Sequence, residues 1–324
     1  MPLAMSIMDI ELQKSCFVDE EPLTELQALE AMAALLQASA YSGDAYNIRE
    51  ILERGKVRPD AADSELTTPL MLASAAGHLD CVKLLVEFGA YINARRSTGT
   101  SSLFLAAQGG HSEVVRFLFD VGALIDSQSN NGATSLFIAS QMGHMEVVRY
   151  LCSKGANINL CLHDKTTPIF VASQNGHDAI VRQLVSSGAD VNCRREDGTS
   201  PLWIACQMGH VVVVQTLLDL GAESDKPRND DGVTPLFKAA SKGYRTITNC
   251  LLKRKANLGL QKSGYSPLHA AAYFGHLSVV QLMLENGANA DLKDKDGLTA
   301  AQLSAKRGFD SISRIISLQQ NTVY

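Results

Sequence analysis

No stretch of the 324 residues is apolar over the roughly 18 positions that a membrane-crossing helix needs, so no membrane partner is expected. Asp9 and Glu11 interrupt the first apolar residues, where a secretion signal would carry no acid. The expected compartment is therefore the cytoplasm. There is no Gly-x-Ser-x-Gly, no His-Glu-x-x-His, no Walker-type phosphate loop and no dinucleotide fingerprint. A chain without a poised nucleophile, a zinc-held base or a nucleotide cradle is expected to be neither an enzyme nor a cofactor binder. Seven cysteines include no Cys-x-x-Cys pair, and an odd count of this kind fits reduced thiols better than a disulfide framework. The net charge of -5 with 46% hydrophobic residues lacks both the charge excess of a disordered chain and the basic balance of a nucleic-acid binder.

What the chain has is one text written repeatedly. Its clearest copy is Asp164 to Asn192, D-K-T-T-P-I-F-V-A-S-Q-N-G-H-D-A-I-V-R-Q-L-V-S-S-G-A-D-V-N. Thr167 suits a helix cap, Pro168 the first helical position, and Gly176 the left-handed residue that closes a short helix. A second helix after His177 carries Ile180, Val181, Leu184 and Val185 on one face, Gly188 ends it, and Asp190 to Asn192 begin a loop. Such helices are too short to persist alone, so the unit must stack on copies of itself. The first-helix glycines are Gly43, Gly77, Gly110, Gly143, Gly176, Gly209, Gly243, Gly275 and Gly308, spaced 32 to 34 residues apart.

With this period and the text Ser266-Pro267-Leu268-His269-Ala270-Ala271 followed by Gly275-His276, the chain resembles the ankyrin-repeat family from roughly Leu29 to Leu318. The expected fold is all-α, an ankyrin-repeat solenoid of about nine stacked helix-turn-helix units with connecting hairpin loops. The expected organisation is an acidic, mobile tail over 1–21, a single repeat domain over 22–319 and a short tail over 320–324. Repeat boundaries fall at about 22–64, 65–97, 98–130, 131–163, 164–196, 197–230, 231–262, 263–295 and 296–319. Thr24 and Gln27 are spaced as a capping box, and the first and last repeats depart from the common text as polar end caps should. In repeat seven Lys255 stands where the other repeats carry the glycine that ends the second helix, which makes this repeat the expected weak joint.

Six histidines share one register: His78, His111, His144, His177, His210 and His276. Equivalent side chains a repeat apart cannot meet at the roughly 2 Å of a shared zinc ion, so the expected role is hydrogen bonding between repeats and no metal. Where most family members carry the histidine of Thr-Pro-Leu-His, this chain has Phe104, Phe137, Phe170, Trp203 and Phe237. These read either as aromatics packed from repeat to repeat or as an apolar strip for a partner. The resemblance implies that the positions lining the family's concave binding surface are Gln108, Gln141, Gln174 and Gln207, each followed by a residue such as Met142 or Met208. That groove is uncharged and adaptable. It also implies that Asn93, Asn159 and Asn192, each eight residues after a leucine, are candidates for hydroxylation, with structural loop bonding as the competing role.

Repeats seven to nine differ. From Gly232 to Leu284 there is no Asp or Glu, while seven lysines and arginines occur. The groove positions there hold Lys242, then Tyr273 and Phe274, then Lys306 and Arg307, with Tyr265 in the preceding loop. Adjacent aromatics flanked by cations are the composition of binding hot spots. The expected function is a non-catalytic scaffold or adaptor, a monomer that binds a partner protein with an acidic segment and no nucleic acid. The alternative is the substrate-recognition or regulatory subunit of a larger enzyme complex.

Overall fold

Each repeat begins where a side-chain hydroxyl meets the open end of a helix. At Thr68, Ser101, Thr134, Ser200, Thr234, Ser266 and Thr299 that oxygen accepts from the amide three residues on. One of the helix's unpaired N–H groups is thereby satisfied. Thr167 does not cap its helix. Its hydroxyl lies 3.0 Å from the sulfur of Cys193, 26 residues on, and the competing thiol removes the cap that the local text suggests. Pro168 still occupies the first turn, where no donor is lost.

A computed structural model describes residues 24–320 of the chain. The acidic stretch 1–21 and the terminal Thr322-Val323-Tyr324 lie outside the described residues. The described helices fall in two compact bodies, residues 1–130 and 131–324. The first body contains α1 (Glu25–Ser42), α2 (Ala45–Glu53), α3 (Pro69–Ala76), α4 (Leu79–Glu87), α5 (Ser102–Gly109) and α6 (Ser112–Asp120). The second contains α7 (Ser135–Met142), α8 (Met145–Ser153), α9 (Pro168–Gln174), α10 (Asp178–Ser186), α11 (Pro201–Met208) and α12 (Val211–Asp219). It continues with α13 (Pro235–Ser241), α14 (Arg245–Lys253), α15 (Pro267–Tyr273), α16 (Leu277–Glu285), α17 (Ala300–Lys306) and α18 (Asp310–Gln320).

Within each body the odd-numbered helices pack on one another in succession and the even-numbered helices form a second row behind them. The fold is an all-helical repeat solenoid whose eighteen described helices make nine pairs. No strand occurs among the described residues, only an isolated bridge between Lys293 and Thr299. The interior is built from one or two large aliphatic residues per helix, such as Leu103 with Leu118 and Ile169 with Ile180, each 2% exposed or less. Burial of each contributes about 1.5 to 3 kcal/mol, which helices of seven to nine residues cannot obtain alone. Thr24 and Gln27 form the expected capping box on α1. Successive hairpin loops are tied to one another by single backbone bonds, for example Glu196 N–H to Asp164 O at 3.0 Å and Asn229 N–H to Asp197 O at 2.9 Å.

Two glycine positions carry different demands. Gly176 has φ +81°, and a Cβ there would lie 2.8 Å from Nδ1 of His210 in the next repeat. Gly188, which ends the second helix, has φ +99° and open space where a Cβ would stand. Lys255 adopts the second kind of conformation with φ +59°, so it holds a left-handed backbone that disfavours any side chain.

Candidate functional site

The histidine register joins repeats. Five of its rings lie against the preceding repeat's glycine and place Nε2 on a carbonyl there: His78 on Tyr41 O at 3.1 Å, His111 on Ala75 O at 3.0 Å, His177 on Gln141 O at 3.1 Å, His210 on Gln174 O at 2.9 Å and His276 on Ser241 O at 3.1 Å. Among the described residues no group of three or more His, Cys, Asp or Glu side chains is placed to hold a metal ion. Tyr244 and Phe309 take the ring's place against Gly209 and Gly275. These two substitutes escape a search for histidine, and a search for any ring one residue after the glycine finds them.

The three loop asparagines are also structural ties. Asn93 Nδ2 donates to Gly122 O at 3.1 Å while its Oδ1 accepts from Leu124 N at 3.0 Å. Asn159 bridges Gly188 O and Asp190 N in the same manner, and Asn192 bridges Gly221 O and Glu223 N. Both ends of each amide are engaged.

The aromatic series divides. Phe104, Phe137, Phe170 and Trp203 are at most 8% exposed, and the Trp203 indole donates to Val233 O at 2.9 Å. They are buried and offer no strip to a partner. Phe237 is half-buried and opens onto a cleft instead.

That cleft, of about 250 Å³, is lined by Phe237, Tyr265, His269, Tyr273, Phe274 and Leu303. Tyr273 and Phe274 meet edge to face with ring centroids 5.0 Å apart, and Phe274 remains 52% exposed. The end repeat therefore leaves Phe274 uncovered. Arg307 lies 4.5 Å over the Tyr273 ring and Lys295 5.7 Å over Tyr265, so guanidinium and ammonium groups rim the apolar floor. Lys242, Lys306 and Arg307 are exposed. Lys238, one turn before Lys242, sits 5.3 Å over the Trp203 ring, with Arg228 on the same ring at 5.4 Å. Partial burial, with Lys242 and Arg228 nearby, lowers the pKa of Lys238. Lys238, Lys242, Lys306 and Arg307 form no ion pair with an acid among the described residues. Leu303 is the cleft residue that the sequence pattern does not single out, because its ordinary core position masks it.

His269 is 1% exposed. Its Nδ1 accepts from the Ser266 hydroxyl at 2.7 Å and its Nε2 donates to Leu298 O at 3.1 Å. Burial lowers its pKa. Along the other groove positions Gln108 is exposed in the first body, and in the second Gln141, Met142 and Met208 are exposed while Gln174 and Gln207 are half-buried.

The sequence profile of the ankyrin repeat matches residues 66–97, and that of three-copy ankyrin repeats matches 91–161, 157–228, 223–294 and 239–322. With both the stacked helix pairs and more than half of the chain matched, the chain belongs to the ankyrin-repeat family. It is similar to human ankyrin repeat domain-containing protein 29, with 48% identity over 58 residues, 18% of this chain and 19% of that protein. It is also similar to serine/threonine-protein kinase VIK of Arabidopsis thaliana, with 38% identity over 69 residues, 21% of this chain and 16% of the kinase. The chain thus spans less than a fifth of the length of either relative. Repeats of this family indicate a protein–protein interaction scaffold and are generally non-catalytic. No helix among the described residues is long and apolar enough to cross a membrane.

Proposed function

We propose that the chain is a non-catalytic adaptor whose partner protein seats on the first helices of repeats seven to nine and the loop before the second of them, at Lys242, Tyr265, Tyr273, Phe274, Lys306 and Arg307. One observation carries this reading. Phe274 stands 52% exposed at the mouth of an aromatic cleft, inside a stretch that holds no acid from Gly232 to Leu284. Leaving such a ring in water has no structural return, whereas burying it under a partner supplies the kind of anchor that contributes about 2 kcal/mol or more to an interface. The unpaired cations around it select an acidic segment with an apolar residue, and binding weakens as salt rises. Work in the cytoplasm as a monomer belongs to the same proposal. The alternative, a substrate-recognition or regulatory subunit of a larger enzyme complex, would use this surface equally.

The test is proximity labelling in the native cell with the parent chain, Phe274→Ala, and Met208→Ala as the control on the central groove. Circular dichroism and thermal melts establish that all three are folded. Partners that vanish with Phe274→Ala and persist with Met208→Ala support the assignment. The opposite pattern moves the site to the amide and methionine row of Gln141, Met142, Gln174, Gln207 and Met208.

A further inference from the structure

Resting on the assignment of the partner site to repeats seven to nine, we infer that the surface reads a short extended peptide with one apolar residue and an acid about three positions away on each side.

The inference comes from register. Lys242, Phe274 and Arg307 each directly precede the glycine after a first helix, namely Gly243, Gly275 and Gly308. They therefore form one row across three consecutive, mutually packed helices, α13, α15 and α17. The row reads cation, aromatic, cation. Neighbouring packed helices stand about 8 to 10 Å apart. An extended peptide advances about 3.3 Å per residue, so three residues separate the step from Phe274 to either cation. The pattern is symmetric and holds for either chain direction.

The floor decides the central residue. A volume of about 250 Å³ lies below the roughly 300 to 1,000 Å³ of sites that enclose a small molecule, and it is lined mainly by rings and Leu303. It suits one leucine or phenylalanine side chain of a longer ligand. On the α13 side Lys238 and Lys242 lie one helical turn apart, and neither is paired with an acid among the described residues. On the α17 side Arg307 is held over Tyr273 at 4.5 Å, which fixes its guanidinium beside the cleft mouth. The flanking acids of the ligand meet these two poles.

The experiment uses the full chain and synthetic fluorescent nonapeptides in fluorescence anisotropy at low and high salt. The first peptide carries a central leucine with glutamates three residues to either side in a glycine and serine background. A second moves the glutamates next to the leucine, a third replaces them with glutamine, and a fourth replaces the leucine with serine. The first is expected to bind tightest, each correctly spaced glutamate improving Kd about two- to five-fold. Phe274→Ala is expected to weaken it about 30-fold or more. Arg307→Glu is expected to lose one glutamate's share and to recover it when that glutamate becomes lysine. Equal binding of the first and second peptides, both lost in Phe274→Ala, would overturn the spacing while leaving the site in place. Absence of binding by all four would overturn the inference, and the labelling comparison would then judge the site separately. Tighter binding of a single-stranded oligonucleotide that displaces the first peptide would overturn it in favour of base stacking on the exposed ring.

Discussion

Lys255→Gly is a test of how local backbone strain sets the stability of one repeat. Lys255 has φ +59° at the end of α14, where Gly188, Gly221 and Gly287 occupy the equivalent place in other repeats. For an L residue with a side chain the left-handed region costs roughly 1 to 2 kcal/mol. Glycine removes that cost but loses about 0.5 to 1 kcal/mol more backbone entropy on folding. No close packing contact enters the balance on the folded side. A Cβ at the equivalent glycines meets nothing within 4 Å, Lys255 is exposed, and no ion pair among the described residues holds it. Removing its charge beside Lys253 and Arg254 also lessens repulsion. The net expectation is about 0.5 to 1 kcal/mol of stabilisation. Because a repeat array loses order locally, the assay is native-state hydrogen exchange, reading the amides of Leu251 to Ala256, with urea unfolding alongside. Exchange in α14 is expected to slow about two- to five-fold, while amides of α10 are unchanged. Lys255→Asn is expected to fall between, since asparagine tolerates this region. Unchanged or faster exchange in α14 would refute the reasoning, and would show that another contact of Lys255 outweighs its strain.

Gly176→Ala and Gly188→Ala share a positive φ but not their surroundings, because only the first would drive a methyl to within 2.8 Å of the His210 ring. Gly188→Ala is expected to destabilise by about 1 kcal/mol and Gly176→Ala by at least about 2, measured by urea unfolding, and equal values would remove the ring contact from the account. The lowered pKa of His269 has a definite sign: its folded pKa lies below the unfolded 6.5, so its contribution is present above 6.5 and is lost as pH falls through the folded pKa. Protonation would turn the Nδ1 that accepts from Ser266 into a donor. Urea midpoints of the parent are expected to decline below pH 6.5, with a shallower decline in His269→Phe, and parallel curves would refute this. Cys193 is pushed up to about 11 by burial, so its contribution is present below the unfolded 9 and is lost between 9 and 11. Cys193→Ser, which can keep the contact with Thr167, is expected to flatten that alkaline decline.

Much of the fold is legible in single residues. The hydroxyl caps, the prolines, the closing glycines and the misfit of Lys255 act within a few residues of themselves, so their text states their conformation. Periodicity then states that the units must stack, since none can bury its own apolar face. Thr167 shows where local reading stops, because its hydroxyl chooses between an amide three residues away and a thiol 26 residues away. The aromatic series shows the same limit at the candidate site. Phe170 and Phe237 hold equivalent places and look alike in sequence, yet one is 2% exposed and the other faces a cleft. The sequence alone determined the repeat, its ends and the acid-free cationic stretch, because these depend on composition and on contacts near in the chain. Only the tertiary structure decided which rings are covered, which cations lack acids and that Leu303 joins Phe237 and Phe274 around one space, because those depend on what the neighbouring repeat places opposite them.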